Sequence, residues 1–251
     1  MTTNPLRRDQ LVAHRGYQKL YPENTLLAHR EAIAAGALYL ETDVLLSTDL
    51  QPVLYHDPGL RRISGQAGKI SSLPLSTLTS IPAHEPRRLG RAFIEQTITP
   101  LVDFTELLTA HPQVSAYIEI KSEAIDFAGP GETLSALRNC LDSIAEQCYL
   151  ISSHYEFIAY ARLQGWAKCG LVLKRWKDIS RPEVETIKAD VIFCKYQKIP
   201  RRAALETIGA EIILYEINSP QLAAHWLQRG ASKIETFDIG SMIKSQQSPV
   251  I

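Results

Sequence analysis

The chain has 251 residues, of which 45% are hydrophobic and 22% are charged, a composition typical of globular proteins with a buried core. Basic and acidic residues number 27 each, so no net charge favours nucleic acid or an anionic membrane as a partner. The length suits either two small domains or one α/β barrel.

The N-terminus, MTTNPLRRDQLVAHRG, lacks the apolar run of a signal peptide. No later segment approaches the roughly 20 apolar residues of a membrane span, so we expect no stable membrane insertion. The four cysteines form no CxxC pair with metal or redox spacing; they are Cys140, Cys148, Cys169 and Cys194. We therefore expect a cytoplasmic protein with reduced thiols.

Short apolar runs rich in β-branched residues predict eight strands. They cover residues 11–14, 38–44, 116–121, 148–152, 169–173, 190–194, 211–217 and 233–237. Helical spacing appears between most of them, in TLLAHREAIAAG, PLVDFTELLTAH, TLSALRNCLDSIAE, EFIAYARLQG, AALETIG and PQLAAHWLQRG. A doubly wound sheet more often has about five or six strands. The pattern therefore favours an α/β fold of the TIM (β/α)8 barrel type, forming a single domain over residues 1–251.

One connection, from residue 44 to residue 100, is longer than the others. It runs through VLYHD (53–57), which we interpret as an extension of the second strand, and then through a stretch rich in Gly, Pro, Ser and Arg. This predicts a loop-rich insertion after strand two, at about 57–98. Its basic residues could form a lip over a site, although a charged loop is more often simply solvated; they are Arg61, Arg62, Lys69, Arg87, Arg88 and Arg91.

Polar motifs occur near the ends of the first predicted strands, where the active sites of such barrels lie. Strand one leads into HRG (14–16), strand two into ETD (41–43), its extension into YHD (55–57), and strand three into EIK (119–121). Because side chains alternate along a strand, Glu41 and Asp43 share one face, as do Glu119 and Lys121. Each fragment alone occurs often by chance, but their placement at one rim favours a functional site.

Three of these residues suggest a metal site. Three carboxylates without a cation would repel one another, whereas three hard oxygen donors around a divalent ion are stable. We therefore predict Glu41, Asp43 and Glu119 as the ligands of one divalent ion. Ligation by oxygen alone favours Mg²⁺ or Ca²⁺ over Zn²⁺, and the sequence does not choose between the first two.

The other polar residues at this rim suggest phosphate chemistry. Arg15 and Lys121 add fixed positive charge, and an arginine fork matches the oxygens of a phosphate. We expect a small-molecule substrate that carries a phosphate group. His14 and His56 can divide general base and general acid roles near neutral pH.

At these residues the sequence resembles the glycerophosphodiester phosphodiesterase family, in LVAHRGYQKLYPENTLLAH, GALYLETDVLLSTDLQPVLYHDP and YIEIK. The order HRG, PENT, ExD, HD and ExK is specific and covers the first half of the chain closely. The resemblance implies a metal-dependent barrel enzyme that hydrolyses glycerophosphodiesters to an alcohol and sn-glycerol 3-phosphate. It implies that His14 and His56 are the acid/base pair and that Arg15 and Lys121 contact the substrate. It also implies that three acids bind the metal, namely Glu41, Asp43 and Glu119.

The PENT motif leaves two roles open. Glu23 matches a family position that supports the site. Asn24 or Thr25 beside it is a candidate N-cap for the helix that follows, and the sequence does not separate these roles.

The second half departs from the family's pattern. His154 follows Ser153 where the family often has SF, Tyr215 stands where a Trp commonly closes strand seven, and Thr236-Phe237-Asp238 replaces the usual TD. These differences leave the substrate more open than the reaction type. The alternatives are a phosphodiester lyase or lysophospholipase D-like enzyme on the same barrel, or a non-catalytic phosphate-binding barrel. Loss of a histidine or acid would favour the last of these, and none is missing from the motifs.

Overall fold

A computed structural model describes residues 6–206 and 208–245. The strands, in chain order, are β1 (Leu11–His14), β2 (Tyr39–Leu46), β3 (Pro52–Leu54), β4 (Thr99–Pro100), β5 (Ser115–Ile120), β6 (Cys148–Ser152), β7 (Cys169–Leu173), β8 (Val191–Lys195), β9 (Glu211–Tyr215) and β10 (Lys233–Thr236). All except β3 and β4 are parallel, and they close into a barrel because β1 pairs with both β10 and β2. The predicted (β/α)8 barrel is confirmed.

Helices cover the outside of this barrel and its connections. They are α1 (Leu26–Ala34), α2 (Arg61–Ser64), α3 (Leu75–Leu78), α4 (Pro86–Leu89), α5 (Leu101–Thr109), α6 (Ser122–Leu141), α7 (Tyr155–Leu163), α8 (Pro182–Ile187), α9 (Pro220–Gln228) and α10 (Ile239–Lys244). The largest hydrophobic cluster includes residues of both the strands and these helices, so the main core lies between the two layers.

Strand β2 is longer than the sequence predicted. It continues to Leu46 and pairs antiparallel with β3, with Val44 opposite Leu54. The predicted extension at 53–57 is a strand only as far as Leu54, so His56 lies in the loop beyond it. Glu41 and Asp43 consequently lie inside β2 rather than at its end, because the apolar residues that follow them are buried in the hairpin.

The connection predicted as a loop-rich insertion contains short helices. Between β3 and β4 the chain forms α2, α3 and α4, each of which has four residues. The isolated bridges Gly59–Lys69 and Pro82–Thr97 pair parts of this connection with each other. The insertion is therefore folded against itself between the second and third barrel strands.

Two helix predictions need correction. Helix α6 begins at Ser122, directly after Lys121, rather than near residue 133, and it bends at Gly129, where φ is 78°. The predicted helix at AALETIG is wrong: residues 203–206 and 208–209 form turns and irregular structure, and Thr207 lies outside the described residues. A segment this short cannot offset the cost of starting a helix unless packing supports it.

The interior of the barrel is closed beneath the polar rim. A second apolar cluster fills it, formed by Val12, Tyr117, Ile151, Val191, Phe193 and Ile213. Strand alternation places Val12 on the same face as His14, and Tyr117 on the same face as Glu119. The inward faces of these strands therefore carry apolar side chains below and polar side chains above.

The helices and the cysteines can be compared with the expectations of no membrane span and of reduced thiols. Within the described ranges, no helix has both the length and the apolar character needed to cross a bilayer. The four cysteines are free thiols. A cytoplasmic location stays a prediction.

Candidate active site

The pairing of β2 with β5 brings the three predicted metal ligands together. Asp43 lies opposite Glu119 in the parallel register, and Glu41 lies two residues earlier on the same face. Ligand oxygens of all three carboxylates lie within 4.8 Å of one another. Glu41 and Asp43 are buried, and the Glu119 side chain is 16% exposed.

The electrostatics of these carboxylates fit a bound cation. Burial, reinforced by repulsion from Asp43, raises the pKa of the Glu41 carboxyl well above its usual range. Burial alone would also raise the pKa of Asp43, but Arg15 and Lys121 hold it below its usual range. Glu41 Oε1 has no hydrogen-bond partner among the described residues. An orphaned buried oxygen among hard donors suits a divalent ion, and the donor set suits Mg²⁺ and Ca²⁺ alike.

A tight turn after β1 directs Arg15 toward these acids. Gly16 has φ 80°, and a Cβ there would lie 2.6 Å from the Ala28 carbonyl carbon, so only glycine allows the turn to approach α1. The Arg15 backbone N–H donates to Glu41 Oε2 at 3.1 Å. Its guanidinium Nε lies 3.0 Å from Asp43 Oδ2. The turn thus places the Arg15 guanidinium against Asp43 and the Arg15 backbone N–H against Glu41.

Three residues of the PENT segment make separate contacts at the site and at the start of α1. Glu23 is buried and accepts a hydrogen bond from Arg15 Nη1 at 2.8 Å. Asn24 donates to Asp43 Oδ2 at 2.9 Å and accepts from Asp43 N at 3.2 Å, so it orients that carboxylate. Thr25 is the N-cap of α1, since its hydroxyl accepts from Ala28 N. The N-cap question left open by the sequence is therefore resolved in favour of Thr25.

Lys121 and the two histidines complete the predicted set. Lys121 Nζ lies 3.0 Å from Glu119 Oε1 and 3.3 Å from Asp43 Oδ1. A cavity of about 180 Å³ lies at this rim. It is lined by His14, Arg15, Glu41, His56, Glu119, Lys121, Ile151, Val172, Phe193, Tyr215, Glu216 and Glu235.

His14 is enclosed, whereas His56 is partly open to solvent. His14 Nε2 lies 3.7 Å from Glu41 Oε2, and its ring stacks on Phe237 with a centroid distance of 4.7 Å. Burial, together with the neighbouring Arg15, keeps the pKa of His14 well below its usual range. His56 has a side chain that is 33% exposed, and its Nδ1 lies 2.6 Å from Asp57 Oδ1.

Glu235, a buried acid on β10, was not among the predicted site residues. Its Oε2 lies 4.0 Å from His14 Nε2, and atoms of His14, Glu41 and Glu235 lie within 4.8 Å of one another. Burial, followed by repulsion from Glu119, raises the pKa of Glu235 well above its usual range. The signal was present in KIETF, since this acid lies near the end of a barrel strand, as Glu119 does.

The insertion contributes further residues, of which the sequence indicated Arg62 and Arg88 only as members of a possible basic lip. Arg62 of α2 forms ion pairs with Asp57 and with Glu23. Glu85, at the start of α4, accepts from the Glu23 backbone N–H at 2.9 Å and is held by Arg88. Other basic residues of the insertion have exposed side chains, namely Arg61, Lys69, Arg87 and Arg91. Parts of the insertion thus contact the site, and other parts are solvated.

The sequence of this chain matches one family of known proteins. The Glycerophosphoryl diester phosphodiesterase family matches residues 14–227. A glycerophosphodiester phosphodiesterase from Caldanaerobacter subterraneus is 29% identical over 164 residues, which cover 64% of this chain and 65% of that protein. One from Bacillus altitudinis is 30% identical over 124 residues, 48% of each chain. The chain thus spans only about half to two thirds of the length of these relatives.

A shorter and stronger likeness involves a human protein. The human glycerophosphoinositol inositolphosphodiesterase is 47% identical over 88 residues, which cover 34% of this chain and 16% of that protein. This likeness is confined to a small part of both proteins.

Solved structures share the fold. A phosphodiesterase from Oleispira antarctica, in complex with the product sn-glycerol-3-phosphate, has a TM-score of 0.82 at 22% identity and covers 95% of this chain and 97% of that chain. A glycerophosphodiester phosphodiesterase from Agrobacterium tumefaciens has a TM-score of 0.76 at 20% identity and covers 94% and 99% of the two chains. At these identities the likeness shows the barrel alone. The family match extends over most of the chain, and from it we conclude that this protein belongs to the glycerophosphoryl diester phosphodiesterase family.

Proposed function

We propose that this protein is a metal-dependent phosphoric diester hydrolase that converts glycerophosphodiesters to an alcohol and sn-glycerol 3-phosphate. The observation that carries the proposal is the proximity of the Glu41, Asp43 and Glu119 carboxylates at a cavity that is also lined by two cations and two histidines. Family membership and the names of the relatives support the same chemistry.

The substrate phosphate would lie between Arg15 and Lys121. Both side chains are largely enclosed, so each acts in surroundings where its attraction for an anion is less screened than in water. The carboxylates of Asp43 and Glu119 hold the Lys121 ammonium in place before substrate arrives. Fixed cations of this kind stabilise charge that develops on phosphorus without reorganising during the reaction.

Glu41, Asp43 and Glu119 would hold the divalent ion. When bound, such an ion supplies Lewis-acid stabilisation of the phosphoryl oxygens and helps to orient the substrate. Asn24 contributes indirectly, because its amide fixes the direction of the Asp43 carboxylate.

The two histidines would move the protons. His14 has a lowered pKa and is therefore unprotonated near neutral pH, which suits it to accept a proton from the attacking hydroxyl, either the glycerol 2-OH or water. His56 Nδ1–H would donate a hydrogen bond to Asp57 Oδ1, 2.6 Å away, which leaves Nε2 as the nitrogen that would give a proton to the departing alcohol. The P–O bond to that alcohol breaks as the new P–O bond forms. If the 2-OH attacks first, water then opens the cyclic phosphate.

Product analysis tests the reaction. The purified protein is incubated with glycerophosphocholine, glycerophosphoinositol and lysophosphatidylcholine in Mg²⁺, Ca²⁺ or Mn²⁺, and phosphorus-containing products are separated. We expect sn-glycerol 3-phosphate from the glycerophosphodiesters and none after complete chelation. A cyclic phosphate as the final product would identify a lyase, preferential attack on the lysolipid would identify a lysophospholipase D-like enzyme, and ligand binding without turnover would identify a binding protein.

Variants test the assigned roles. His14→Ala or His56→Ala should lower kcat by at least about 10²-fold, the usual contribution of a general acid or base. Glu119→Gln should abolish activity and weaken ion binding measured by calorimetry. Glu123→Gln is the matched control, because Glu123 is an exposed acid four residues later in the chain, in the first turn of α6. Near-native turnover in His14→Ala or His56→Ala would refute the role of that histidine.

A further inference from the structure

Arg62 joins two separate parts of the candidate active site. Its guanidinium donates to both oxygens of Asp57, at 2.7 Å from Nε and 2.8 Å from Nη2. It also donates to both oxygens of Glu23, at 2.8 Å from Nη1 and 2.9 Å from Nη2. One planar side chain therefore binds two carboxylates that are far apart in the sequence.

Each of these carboxylates holds a different residue of the proposed machinery. Asp57 Oδ1 lies 2.6 Å from His56 Nδ1. Glu23 Oε1 accepts from Arg15 Nη1 at 2.8 Å. A single carboxylate therefore links Arg62 to the proposed proton donor, His56, and another links it to the proposed phosphate contact, Arg15.

We propose that Arg62 is a positioning residue that orients His56 through Asp57 and Arg15 through Glu23. The inference rests on the proposed function, because His56 must donate a proton for its orientation to matter. Without Arg62, Asp57 loses two charge-assisted hydrogen bonds and becomes free to rotate, so the imidazole attached to it loses its fixed direction. A small misplacement of a catalytic group is enough to slow a reaction by about 10²-fold.

The insertion holds Arg62 in place. The Ile63 carbonyl beside it accepts the backbone N–H of Glu85 at 2.8 Å, and Glu85 in turn accepts the backbone N–H of Glu23 at 2.9 Å. Tyr55, buried under α2, lies 3.0 Å from Ser64 through its hydroxyl. The backbone that carries Arg62 is therefore fixed relative to Glu23 on one side and to the strand before His56 on the other.

A lysine could not replace this arrangement. The guanidinium is a rigid fork whose donors lie in one plane, which allows the same group to meet two carboxylates with paired hydrogen bonds. A lysine ammonium would keep the charge but act as a single point, so it would pair well with only one of the acids.

A pair of substrates with different leaving groups tests the proposal. The ethyl and p-nitrophenyl esters of glycerol 3-phosphate share the same phosphate and glycerol, but only the ethyl ester depends strongly on proton donation to the departing oxygen. Disturbance of Arg15 or of the fold slows both esters equally, whereas misorientation of His56 slows the ethyl ester more. The measured quantity is the ratio of kcat/KM for the p-nitrophenyl ester to that for the ethyl ester.

In Arg62→Ala we expect kcat/KM to fall about 10²-fold for the ethyl ester and less than about 10-fold for the p-nitrophenyl ester, which raises the ratio about 10-fold or more. Arg62→Lys should raise the ratio by an intermediate amount with an unchanged unfolding midpoint, so the test survives if Arg62→Ala folds poorly. Arg61→Ala is the matched control, since its side chain is exposed beside Arg62, and it should leave both rates within about twofold of native.

A ratio that stays native in both Arg62 variants would overturn the proposal, whether or not the rates themselves fall. Failure of the proposed function has a different signature: the native protein would hydrolyse neither ester, or His56→Ala would keep the native ratio.

Discussion

Removal of divalent ions should destabilise the protein, and the loss should grow as the pH rises. The perturbation is exhaustive chelation followed by addition of Mg²⁺ or Ca²⁺. Glu41 and Glu235 are buried acids whose pKa values are raised in the folded state by burial and by neighbouring carboxylates. A raised pKa in an acid adds stability that is fully present below the unfolded value, about 4.5, and is lost as the pH rises through the folded value.

The size of the effect follows from these buried charges. Each unit by which folding raises a pKa corresponds to about 1.4 kcal/mol of unfolding free energy that is lost once the group must ionise. A cation at about 100 times its Kd restores about 2.7 kcal/mol. In a domain of this size about 1 kcal/mol shifts the Tm by roughly 2–4 °C, so saturation with the ion should raise the Tm by roughly 5–10 °C.

Differential scanning calorimetry at about pH 5 and about pH 8, with chelator or with excess ion, measures the shift. We expect a clear rise in Tm at the higher pH and a smaller rise at the lower pH, where the acids hold protons. Glu119→Gln should abolish most of the rise, and Glu123→Gln should retain it. An equal rise in Tm in Glu119→Gln and in the native protein would show that the ion binds elsewhere, contrary to the proposed ligand set.

Three further predictions concern buried groups. Because the pKa of His14 is lowered, kcat/KM in a pH–rate profile should not fall as the pH drops to 6.5, and its decline should begin only at more acid pH; a half-maximal kcat/KM at or above pH 6.5 on the acid side contradicts this. Gly170→Ala should lower the free energy of unfolding, measured with urea, by about 1–3 kcal/mol, because the added Cβ would lie 2.8 Å from Ile151 Cγ2 and even closer to Val191. Gly209→Ala is the control and should be tolerated, because no atom lies within 4 Å of the added Cβ. Glu235→Gln should raise the stability of the ion-free protein at about pH 8 by about 1 kcal/mol or more, because one of the acids that repel Glu41 is removed; a fall in stability would count against this.

Local sequence pattern was sufficient to predict where many of the site residues lie. Alternation along strands placed Glu41 with Asp43 and Glu119 with Lys121, and the position of active sites in such barrels placed both pairs at one rim. The same rule applied to KIETF would have found Glu235. The single-domain assignment over residues 1–251 stays a prediction, as do the roles of the site residues.

Other features could not be predicted because they depend on contacts between distant segments. Nothing near Arg62 in the sequence indicates that it binds Glu23, which lies 39 residues earlier. The hairpin that lengthens β2 depends on pairing with β3.

The barrel and the kinds of group at its rim could be predicted from sequence, because hydrophobic periodicity and strand alternation are properties of neighbouring residues. How closely the carboxylates approach one another, which acid pairs with each histidine and arginine, and how the insertion contacts them became known only from the folded chain. Strand register and long-range ion pairs form only when the chain folds, because they join residues that are distant in sequence. Burial then makes each unpaired charge costly in free energy, which favours the pairings that neutralise it.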